Sequence, residues 1–380
     1  MSFPIKEFEN IPTPFYAYSK KILTETISEI KKQSLQNPAY RVHYAMKANN
    51  NPTIVEYIAK EGLGADCVSG NEVMHALKSG ITPDKIVYSG VGKTDNEILI
   101  GIKERIGCFN VESEQELDNI AAIALKENME ANVAIRINPN IDADTHPSIT
   151  TGTYSDQFGI PLDLAERIIL KAAKSESLNL KGLHFHIGSQ ITSTEPFRLL
   201  TDKVNELNDY YSSKGIHFQW LNVGGGLGID YHNPDTHQVP DFKSYFDVFK
   251  FINLLPDQEL HFELGRAVVA QCGSLISRVL YIKESIEKKF AIIDAGFTDL
   301  LRPALYGAFH LIENLSNMHG DLEQYDVVGP VCESTDCFAH SRWLPTLHRG
   351  DLIAIRSTGA YGESMSSNYN MRQKAGILFY

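Results

Sequence analysis

Residues 42–62, VHYAMKANNNPTIVEYIAKEG, contain a short strand and a helix together with the signals that delimit both. Val42–Ala48 is a mostly apolar run of strand length, and Asn51 followed by Pro52 provides the N-cap and first-turn proline of a helix. Gly62 follows that helix, where a glycine commonly ends one. The stretch therefore predicts one strand followed by one helix.

The same strand-then-helix unit recurs along the chain. Two later helices begin with capping-box spacing, at Thr94 with Glu97 and at Ser113 with Glu116. Eight strands that alternate with helices are typical of a (β/α)8 barrel, in which active sites lie at the carboxyl ends of the strands. We therefore predict an α/β fold with a TIM barrel, whose strands are Val42–Ala48, Gly64–Ser69, Ile86–Gly90, Phe109–Ser113, Val133–Pro139, Gly182–Gly188, Trp220–Gly226 and Leu260–Arg266.

The chain is longer than one barrel requires. Its 380 residues exceed a usual barrel by about 100 residues. After Arg266 the pattern changes to strands separated by turns, at Leu275–Glu284, Phe290–Phe297, Tyr325–Cys332, Asp351–Thr358 and Ala375–Tyr380. We predict a barrel domain over residues 33–271. A second, C-terminal β domain, resembling a β-sandwich or barrel, is predicted over residues 1–32 and 272–380, completed by an N-terminal strand at Pro14–Ser19.

The charge and the cysteines indicate which partners and which cellular compartment to expect. The formal net charge is −12 and the basic residues are not clustered, so we expect neither nucleic acid nor an anionic membrane as a partner. No apolar run is long enough to span a membrane, and Met1–Pro14 lacks the apolar region of a signal peptide. The five cysteines show no disulfide pattern, and a chain of this size does not need disulfides for stability. We therefore expect a cytoplasmic protein.

Residues capable of chemistry lie at four of the predicted strand ends, and His186 is the one in the sixth strand, Gly182–Gly188. Lys47 ends the first strand, where an amine with a lowered pKa could attack an aldehyde, although its position alone favours an ordinary surface lysine. Gly224–Gly226 and Glu263–Arg266 end the seventh and eighth strands, where barrels frequently bind phosphate, although a glycine run alone is as readily a tight turn. Glu263 could keep a ring nitrogen protonated, pair with Arg266, or do both. Together these groups suggest pyridoxal 5′-phosphate as a cofactor.

Nine segments, in this order, resemble the alanine-racemase-like fold type of pyridoxal phosphate enzymes, and within it the diaminopimelate decarboxylases. They extend over nearly the whole chain. Any one segment could match by coincidence, but all nine in the same order identify the family specifically. Two positions depart from the family pattern: Gln157 replaces a lysine, and Met371 replaces a small polar residue. The segments are 43–49 (HYAMKAN), 62–72, 150–160, 184–190 (HFHIGSQ), 222–228 (NVGGGLG), 263–266 (ELGR), 302–306 (RPALY), 332–336 (CESTD) and 359–362 (GAYG).

The resemblance implies a role for each matching residue, and it implies no metal ligand. Lys47 would be the lysine that bonds to the cofactor, His186 would stack on the cofactor ring, and Glu263 would face the ring nitrogen. Without the family, His186 and Tyr361 would be ordinary core residues and Cys332 a buried structural thiol. The other implied cofactor-binding residues are Asp66, Ser189, Gly224, Gly225, Gly226, Gly265, Arg266 and Tyr361. The implied substrate-binding residues are Arg266, Arg302, Tyr306, Glu333 and Tyr361, and the implied catalytic residues are Lys47, His186 and Cys332.

The function implied by the resemblance is decarboxylation of meso-2,6-diaminopimelate to L-lysine and CO2, the last step of lysine biosynthesis. An arginine suits the second carboxylate of this substrate and Glu333 suits its second ammonium group. The resemblance also implies a homodimer with shared active sites, in which Cys332 reaches the neighbouring subunit's site. The alternatives are a decarboxylase of carboxynorspermidine, ornithine or arginine, an alanine-racemase-like enzyme, and a non-catalytic pyridoxal phosphate carrier. The racemases place an arginine at the ring nitrogen, and the carriers lack a second β domain.

Overall fold

The structure is a computed structural model, and residues 3–141 and 157–380 are described. Its first elements are helix α1 (Ile5–Phe8), strand β1 (Phe15–Tyr18) and helix α2 (Lys20–Ser34). The chain divides into two compact units, which we call the barrel unit and the β unit. The barrel unit comprises Ile27–Gly228 and Asp241–Gly265, and the β unit comprises Met1–Thr26, Ile229–Pro240 and Arg266–Tyr380.

Eight parallel strands of the barrel unit close into a ring, which confirms the predicted fold class. The strands of this unit are β2 (Tyr40–Ala45), β3 (Gly64–Cys67), β4 (Ile86–Tyr88), β5 (Cys108–Val111), β6 (Ala131–Asn138), β7 (Ile160–Pro161), β8 (Leu178–His184), β9 (Trp220–Asn222) and β10 (Glu259–Leu264). They pair in the order β5-β4-β3-β2-β10-β9-β8-β6, and β6 pairs with β5 to close the barrel. The two-residue strand β7 pairs with the end of β6 and with no other strand of the described residues.

Several strands end earlier than the sequence predicts. After β2, residues Met46–Ala48 form a 3-10 turn that carries Lys47. After β9, the glycines of Gly224–Gly226 leave the sheet, because Gly224 has a φ of 70° that a strand does not allow. The residues at the predicted strand ends therefore lie in the loops that follow the strands, where barrel enzymes place their sites.

Helices connect the barrel strands and begin at the predicted caps. They are α3 (Pro52–Lys60), α4 (Gly70–Lys78), α5 (Asp95–Lys103), α6 (Glu114–Lys126), α7 (Leu162–Ala173), α8 (Glu195–Ser213) and α9 (Phe242–Phe249), with a 3-10 turn at Pro83–Lys85. The capping box of Thr94 with Glu97 is formed in both directions. Leu117, Ile120, Ala121 and Ala124 recur at the spacing of one helical face, and in α6 all but the half-buried Ala121 are buried. Within residues 3–141 and 157–380, no helix combines the length and the apolar character needed to span a membrane.

The β unit is built on a mixed sheet that includes the N-terminal strand. Its remaining elements are α10 (Arg266–Val269), β11 (Gly273–Glu284), β12 (Lys289–Ile293), α11 (Arg302–Tyr306), β13 (Ile312–Asn314), β14 (Leu322–Val328), β15 (Cys337–Pro345), β16 (Leu352–Ile355) and β17 (Gly376–Phe379), with 3-10 turns at Glu363–Met365 and Tyr369–Met371. The strand order is β13-β16-β11-β12-β14-β15, and β1 pairs with β11 and β17. Phe8, Phe15 and Ile276 pack in its core, so the N-terminal segment completes this unit as predicted.

Candidate active site

Lys47 lies at the carboxyl end of β2 and is paired with a buried carboxylate. Its Nζ donates a hydrogen bond to Oδ2 of Asp66, in the neighbouring strand β3, at 2.5 Å. The side chain of Lys47 is 38% exposed, whereas that of Asp66 is 1% exposed. Burial, and then the negative charge of Glu263, raise the pKa of Asp66 in spite of the Lys47 ammonium. Asp66 is therefore a potential acceptor for a proton from the lysine.

Glu263, on β10, accepts three hydrogen bonds inside the barrel unit. Its Oε1 accepts from Nδ2 of Asn110 at 3.1 Å and from Nδ2 of Asn222 at 2.8 Å, and its Oε2 accepts from Nε2 of His184 at 3.0 Å. Burial alone would raise the pKa of Glu263, but His184 and Lys47 outweigh it and hold the pKa well below its usual value. Glu263 is therefore an ionised carboxylate at neutral pH.

His186 follows β8, and its ring contacts the glycine loop. Its Nδ1 accepts a hydrogen bond from the N–H of Gly225 at 3.2 Å. Burial, followed by the positive charges of Arg136 and Lys47, lowers the pKa of His186 to about 3. The imidazole is therefore uncharged at neutral pH, and it can pack against an aromatic ring without burying a charge.

The glycine loop, residues Gly224–Gly226, packs backbone against backbone. The N–H of Gly224 donates to Oδ1 of Asn222 at 2.9 Å, so the same asparagine holds both this loop and Glu263. A Cβ atom on Gly225 would lie only 1.9 Å from the carbonyl oxygen of Glu263. A residue with a side chain at position 225 would therefore displace the loop or the end of β10.

Two more predicted cofactor residues lie beside this loop. Ser189 is half-buried in the segment after β8, and the N–H of Ile191 joins that segment to the carbonyl oxygen of Gly226 at 2.9 Å. Gly265 follows β10, and a Cβ atom there would lie 3.0 Å from the Cβ of Ala45 in β2. The predicted residues of the barrel unit are thus brought to the carboxyl ends of β2, β3, β8, β9 and β10.

This set of side chains fits pyridoxal phosphate. A carboxylate offers about four lone-pair positions, and the three hydrogen bonds to Glu263 leave one for a protonated ring nitrogen. Lys47 contributes a primary amine, and the glycine loop contributes backbone that packs so closely against the residues after β8 and at the end of β10 that a side chain would displace it. Oδ1 of Asp66 is buried and accepts no hydrogen bond from the described residues. The residues present therefore match the chemical groups of the predicted cofactor.

The β unit holds two buried arginines around one tyrosine. Arg266 and Arg302 are each 6% exposed. Nη1 of Arg266 donates to the hydroxyl oxygen of Tyr231 at 2.7 Å, and the guanidinium of Arg302 lies 4.8 Å from the centroid of the same ring. The guanidinium of Arg266 also lies 4.8 Å from the ring centroid of Tyr361. The structure thus brings three of the predicted substrate residues together.

Arg302 is a buried cation whose described side-chain neighbours carry no negative charge. Its Nη1 donates to Nε2 of His310 at 2.7 Å, and its guanidinium face meets Tyr231. Burial, followed by the charge of Arg266, lowers the pKa of Arg302, although an arginine remains protonated in proteins. A buried charge is costly unless it is paired. This arrangement is therefore suited to an anionic ligand.

Helix α11 places Arg302 and Tyr306 on one face, because residues i and i+4 are neighbours on a helix surface. The helix has Pro303 in its first turn and ends at Gly307, which has a left-handed φ of 61°. The N–H of Gly307 donates to the carbonyl oxygen of Pro303 at 3.0 Å. Tyr306 is half-buried beside this C-terminal cap. A short helix with a glycine C-cap thus presents both predicted substrate residues.

Cys332 and Glu333 lie on an exposed turn between β14 and β15. The buried carboxylate of Asp336 organises this turn, since its Oδ2 accepts from the N–H of Val331 at 2.7 Å. Oε1 of Glu333 accepts from the hydroxyl of Tyr369 at 2.7 Å. Cys332 is a free thiol at the surface, so the alternative of a buried structural cysteine is wrong. Both residues are accessible on the β unit.

Three residues that hold Glu263 were not predicted from the sequence: Asn110, Asn222 and His184. Each is a buried polar residue within a barrel strand, which is an uncommon placement that needs a hydrogen-bonding partner. His184 lies two positions before His186 and therefore on the same face of an extended segment. Buried polar residues within the predicted strands were the signal that could have identified this network.

Comparison with known proteins gives consistent matches over the whole chain. A family model described as pyridoxal-dependent decarboxylase, pyridoxal binding domain, matches residues 23–270. The chain is 52% identical to a diaminopimelate decarboxylase of Bacteroides thetaiotaomicron over 98% of this chain and 96% of that one. It is 40% identical to a diaminopimelate decarboxylase of Aquifex aeolicus over 96% of this chain and 85% of that one. The crystal structure of diaminopimelate decarboxylase from Helicobacter pylori complexed with L-lysine superposes with a TM-score of 0.92 at 40% identity, covering 99% of this chain and 93% of that one.

Proposed function

The chain belongs to the pyridoxal-dependent decarboxylases and, among them, to the diaminopimelate decarboxylases, and from this premise we propose how its own residues act. The enzyme uses pyridoxal phosphate to decarboxylate meso-2,6-diaminopimelate to L-lysine and CO2, the last step of lysine biosynthesis. The observation that carries our assignment of the substrate residues is the buried arginine pair of the β unit.

We assign Arg302 and Arg266 to the carboxylate at the end of the substrate that is not decarboxylated. A guanidinium pairs with a carboxylate through two parallel hydrogen bonds, which fixes orientation as well as charge. Tyr306 and Tyr361 complete this subsite, and Glu333 takes the ammonium group of the same end. Ornithine and arginine have no second carboxylate. With either of them bound, Arg302 would remain a buried cation without a carboxylate partner.

Lys47 and Asp66 prepare the amine that bonds to the cofactor. An ammonium group has no lone pair, so Lys47 must lose a proton before it can act as a nucleophile. Oδ2 of Asp66 lies 2.5 Å from Nζ, and the pKa of Asp66 is raised by its burial. We therefore assign Asp66 as the group that takes the proton from Lys47.

Bound pyridoxal phosphate supplies a ring that accepts the electrons released by decarboxylation. Glu263 would hold the proton on the ring nitrogen through its remaining lone pair, and the three donors on its other positions orient the carboxylate. His186 would pack uncharged on the ring. The residues that we assign to the phosphate end are Ser189, Gly224, Gly225, Gly226, Gly265, Arg266 and Tyr361.

The substrate assignment is tested by measuring CO2 release from meso-diaminopimelate beside ornithine, arginine, lysine and carboxynorspermidine. We expect release from meso-diaminopimelate alone, because the other substrates leave Arg302 without its carboxylate partner. Preferred release from one of the others would contradict the assignment. The racemase alternative is disfavoured by Glu263, and the carrier alternative by the β unit that includes residues 266–380.

We further propose that the enzyme is a homodimer whose subunits share active sites. The support is the resemblance of residues 332–336 to the family segment, together with the exposure of Cys332 and Glu333 on their turn. In a two-fold dimer, each chain's turn can complete the site of the other chain. Cys332 would then protonate the carbon from which CO2 has left.

Mixing two inactive variants tests the shared site. Lys47→Ala chains and Cys332→Ala chains are combined under conditions that allow subunits to exchange. Random exchange gives heterodimers in about half of the dimers, and each has one of its two sites intact, so activity should reach roughly a quarter of wild type. If exchange is verified and no activity returns, Cys332 does not act across the interface.

We also propose a cytoplasmic location and retain the predicted domain division. The five cysteines are free thiols, which suits a reducing compartment. Residues 33–271 as the cofactor-binding domain, with residues 1–32 and 272–380 as the β domain, remain a prediction. Limited proteolysis with mass mapping of the fragments would test this division.

A further inference from the structure

His310 lies in the β unit between Arg302 and the main chain of Arg356. The residue is 1% exposed. Its Nδ1 lies 2.7 Å from the carbonyl oxygen of Arg356, and its Nε2 lies 2.7 Å from Nη1 of Arg302. One imidazole thus connects a fixed backbone group to the guanidinium that we assign to the substrate carboxylate.

These two contacts determine the tautomer of His310. A carbonyl oxygen only accepts hydrogen bonds, so Nδ1 must carry the proton that it donates to Arg356. Nε2 then has a lone pair, which accepts from the guanidinium of Arg302. Burial, followed by the positive charge of Arg302, lowers the pKa of His310 to about 3, so the neutral ring persists at neutral pH.

The backbone end of this connection is firmly anchored. The carbonyl oxygen belongs to Arg356, the residue that follows β16, and the N–H of Arg356 donates to the carbonyl oxygen of Leu311 at 2.8 Å. Its side chain is buried and pairs with Glu313 and with Asp235. His310 therefore holds Arg302 at a fixed place relative to the end of β16.

The remaining surface of the Arg302 guanidinium is also constrained. The ring of Tyr231 lies under its face, and the ring of His310 meets that of Tyr231 at 80° with centroids 5.2 Å apart. A guanidinium has five N–H donors, and the contact with His310 uses one of them. The other donors are thus held in a fixed direction.

We propose that His310 is a positioning residue that orients Arg302 toward the substrate's second carboxylate and thereby sets the preference for substrates that carry one. This proposal rests on the function proposed above. His310 does not touch the substrate in this account. It acts by removing the rotational freedom that a long arginine side chain would otherwise lose on binding.

Two substitutions separate the positioning contact from the backbone contact. His310→Asn places an amide near the position of Nδ1, so it can still donate to the carbonyl oxygen of Arg356 but cannot reach Arg302. His310→Gln extends the amide toward the position of Nε2, where its oxygen can accept from Arg302. The glutamine variant is therefore the conservative rescue, and the asparagine variant is its matched control.

The readout is equilibrium binding to the holoenzyme of L-lysine and of 1,5-diaminopentane, which differ only in one carboxylate. We expect His310→Asn to weaken L-lysine binding about tenfold, which corresponds to ~1.4 kcal/mol, and to leave diaminopentane binding and pyridoxal phosphate affinity unchanged. His310→Gln should retain most of the preference for L-lysine. If His310→Asn does not fold, His310→Leu, which has similar volume and no ring nitrogen, is measured in its place.

The outcomes distinguish this proposal from the function on which it rests. If the wild-type holoenzyme binds L-lysine no better than diaminopentane, the carboxylate subsite itself is wrong. If the wild type prefers L-lysine and the asparagine or leucine variant keeps the same preference, the subsite stands and the positioning role of His310 is refuted. An equal loss for both ligands would show a general structural role and would also refute it.

Discussion

Replacing Gly225 by alanine should damage the cofactor site through a single backbone collision. The new Cβ atom would lie 1.9 Å from the carbonyl oxygen of Glu263, and Cβ contacts below 3.0 Å are essentially never observed. The loop or the end of β10 must therefore move by at least 1.1 Å, the difference between these two distances. The same movement would disturb the hydrogen bond from the N–H of Gly225 to His186.

The size of the effect follows from the cost of overpacking. Forcing extra atoms into a packed interior costs about 1–3 kcal/mol. If that cost falls on the cofactor-bound state, the dissociation constant for pyridoxal phosphate rises by roughly 5- to 150-fold. If it falls on the fold as well, the free energy of unfolding decreases by a similar amount. Gly225 does not have a left-handed φ, so the expected effect is steric.

Gly92→Ala is the matched control. A Cβ atom at Gly92 would have no atom within 4 Å, and its φ is also outside the left-handed region. Both variants are titrated with pyridoxal phosphate, followed by cofactor absorbance, and are unfolded with urea. We expect Gly92→Ala to match wild type within about 0.5 kcal/mol. A Gly225→Ala enzyme with wild-type cofactor affinity and stability would refute the argument that this backbone contact shapes the site.

Three further predictions concern other parts of the chain. Lys47→Ala should abolish the borohydride-fixed cofactor adduct, whereas an exposed change such as Lys60→Ala should retain it; mass mapping of the adduct to any other lysine would contradict the assignment. Arg302→Ala should lower kcat/KM for meso-diaminopimelate by the equivalent of about 2–5 kcal/mol, by analogy with buried charge pairs. Cofactor affinity should stay near wild type. An unchanged kcat/KM would show that the distal subsite lies elsewhere. Burial, followed by the charge of His261, lowers the pKa of His43 to about 3, so the unfolded chain binds a proton below pH 6.5 that the folded chain excludes. The free energy of unfolding should therefore fall as the pH falls from 6.5 toward 3. In urea unfolding, His43→Asn should reduce the slope of this free energy against pH by up to about 1.4 kcal/mol per pH unit. Identical slopes for the variant and the wild type would disprove the linkage.

The barrel could be predicted because each of its strands is a local pattern. The apolar runs and the helix caps depend on neighbours a few residues away, and all eight predicted strands are present. Their ends were less well predicted, because residues such as Lys47 and Gly224 leave the sheet under tertiary constraints. Gly224, for example, turns away from β9 toward the end of β8, which lies far from it in the sequence.

The β unit was harder to predict because its strands depend on partners. Strands β13 and β15 were missed. The first has only three residues, and β15 alternates irregularly between buried and exposed positions, since its pairing with β14 contains register shifts. A strand without a clean two-residue period gives little signal in the sequence alone.

The candidate site divides in the same way. Lys47, Glu263 and the glycine loop could be predicted from their positions at strand ends, and the assignment of Arg302 came from the family resemblance. The hydrogen bonds from Asn110, Asn222 and His184 to Glu263 join four different strands. A polar residue within a predicted strand indicates locally that a buried partner is needed, but which partner it finds depends on the strands that face one another across the barrel.

The hydrogen-bonding groups around Glu263 and those around Arg302 belong to different units, so they can be engineered separately. The hydrogen-bond partners of the Glu263 side chain described above all belong to the barrel unit, and those of the Arg302 side chain belong to the β unit. The last of the four points at which the chain passes between the units lies between Gly265 and Arg266. A library that varies the neighbours of Arg302 can therefore search for new substrates while the groups around Glu263 remain untouched, and retained cofactor loading would serve as a screen for intact variants.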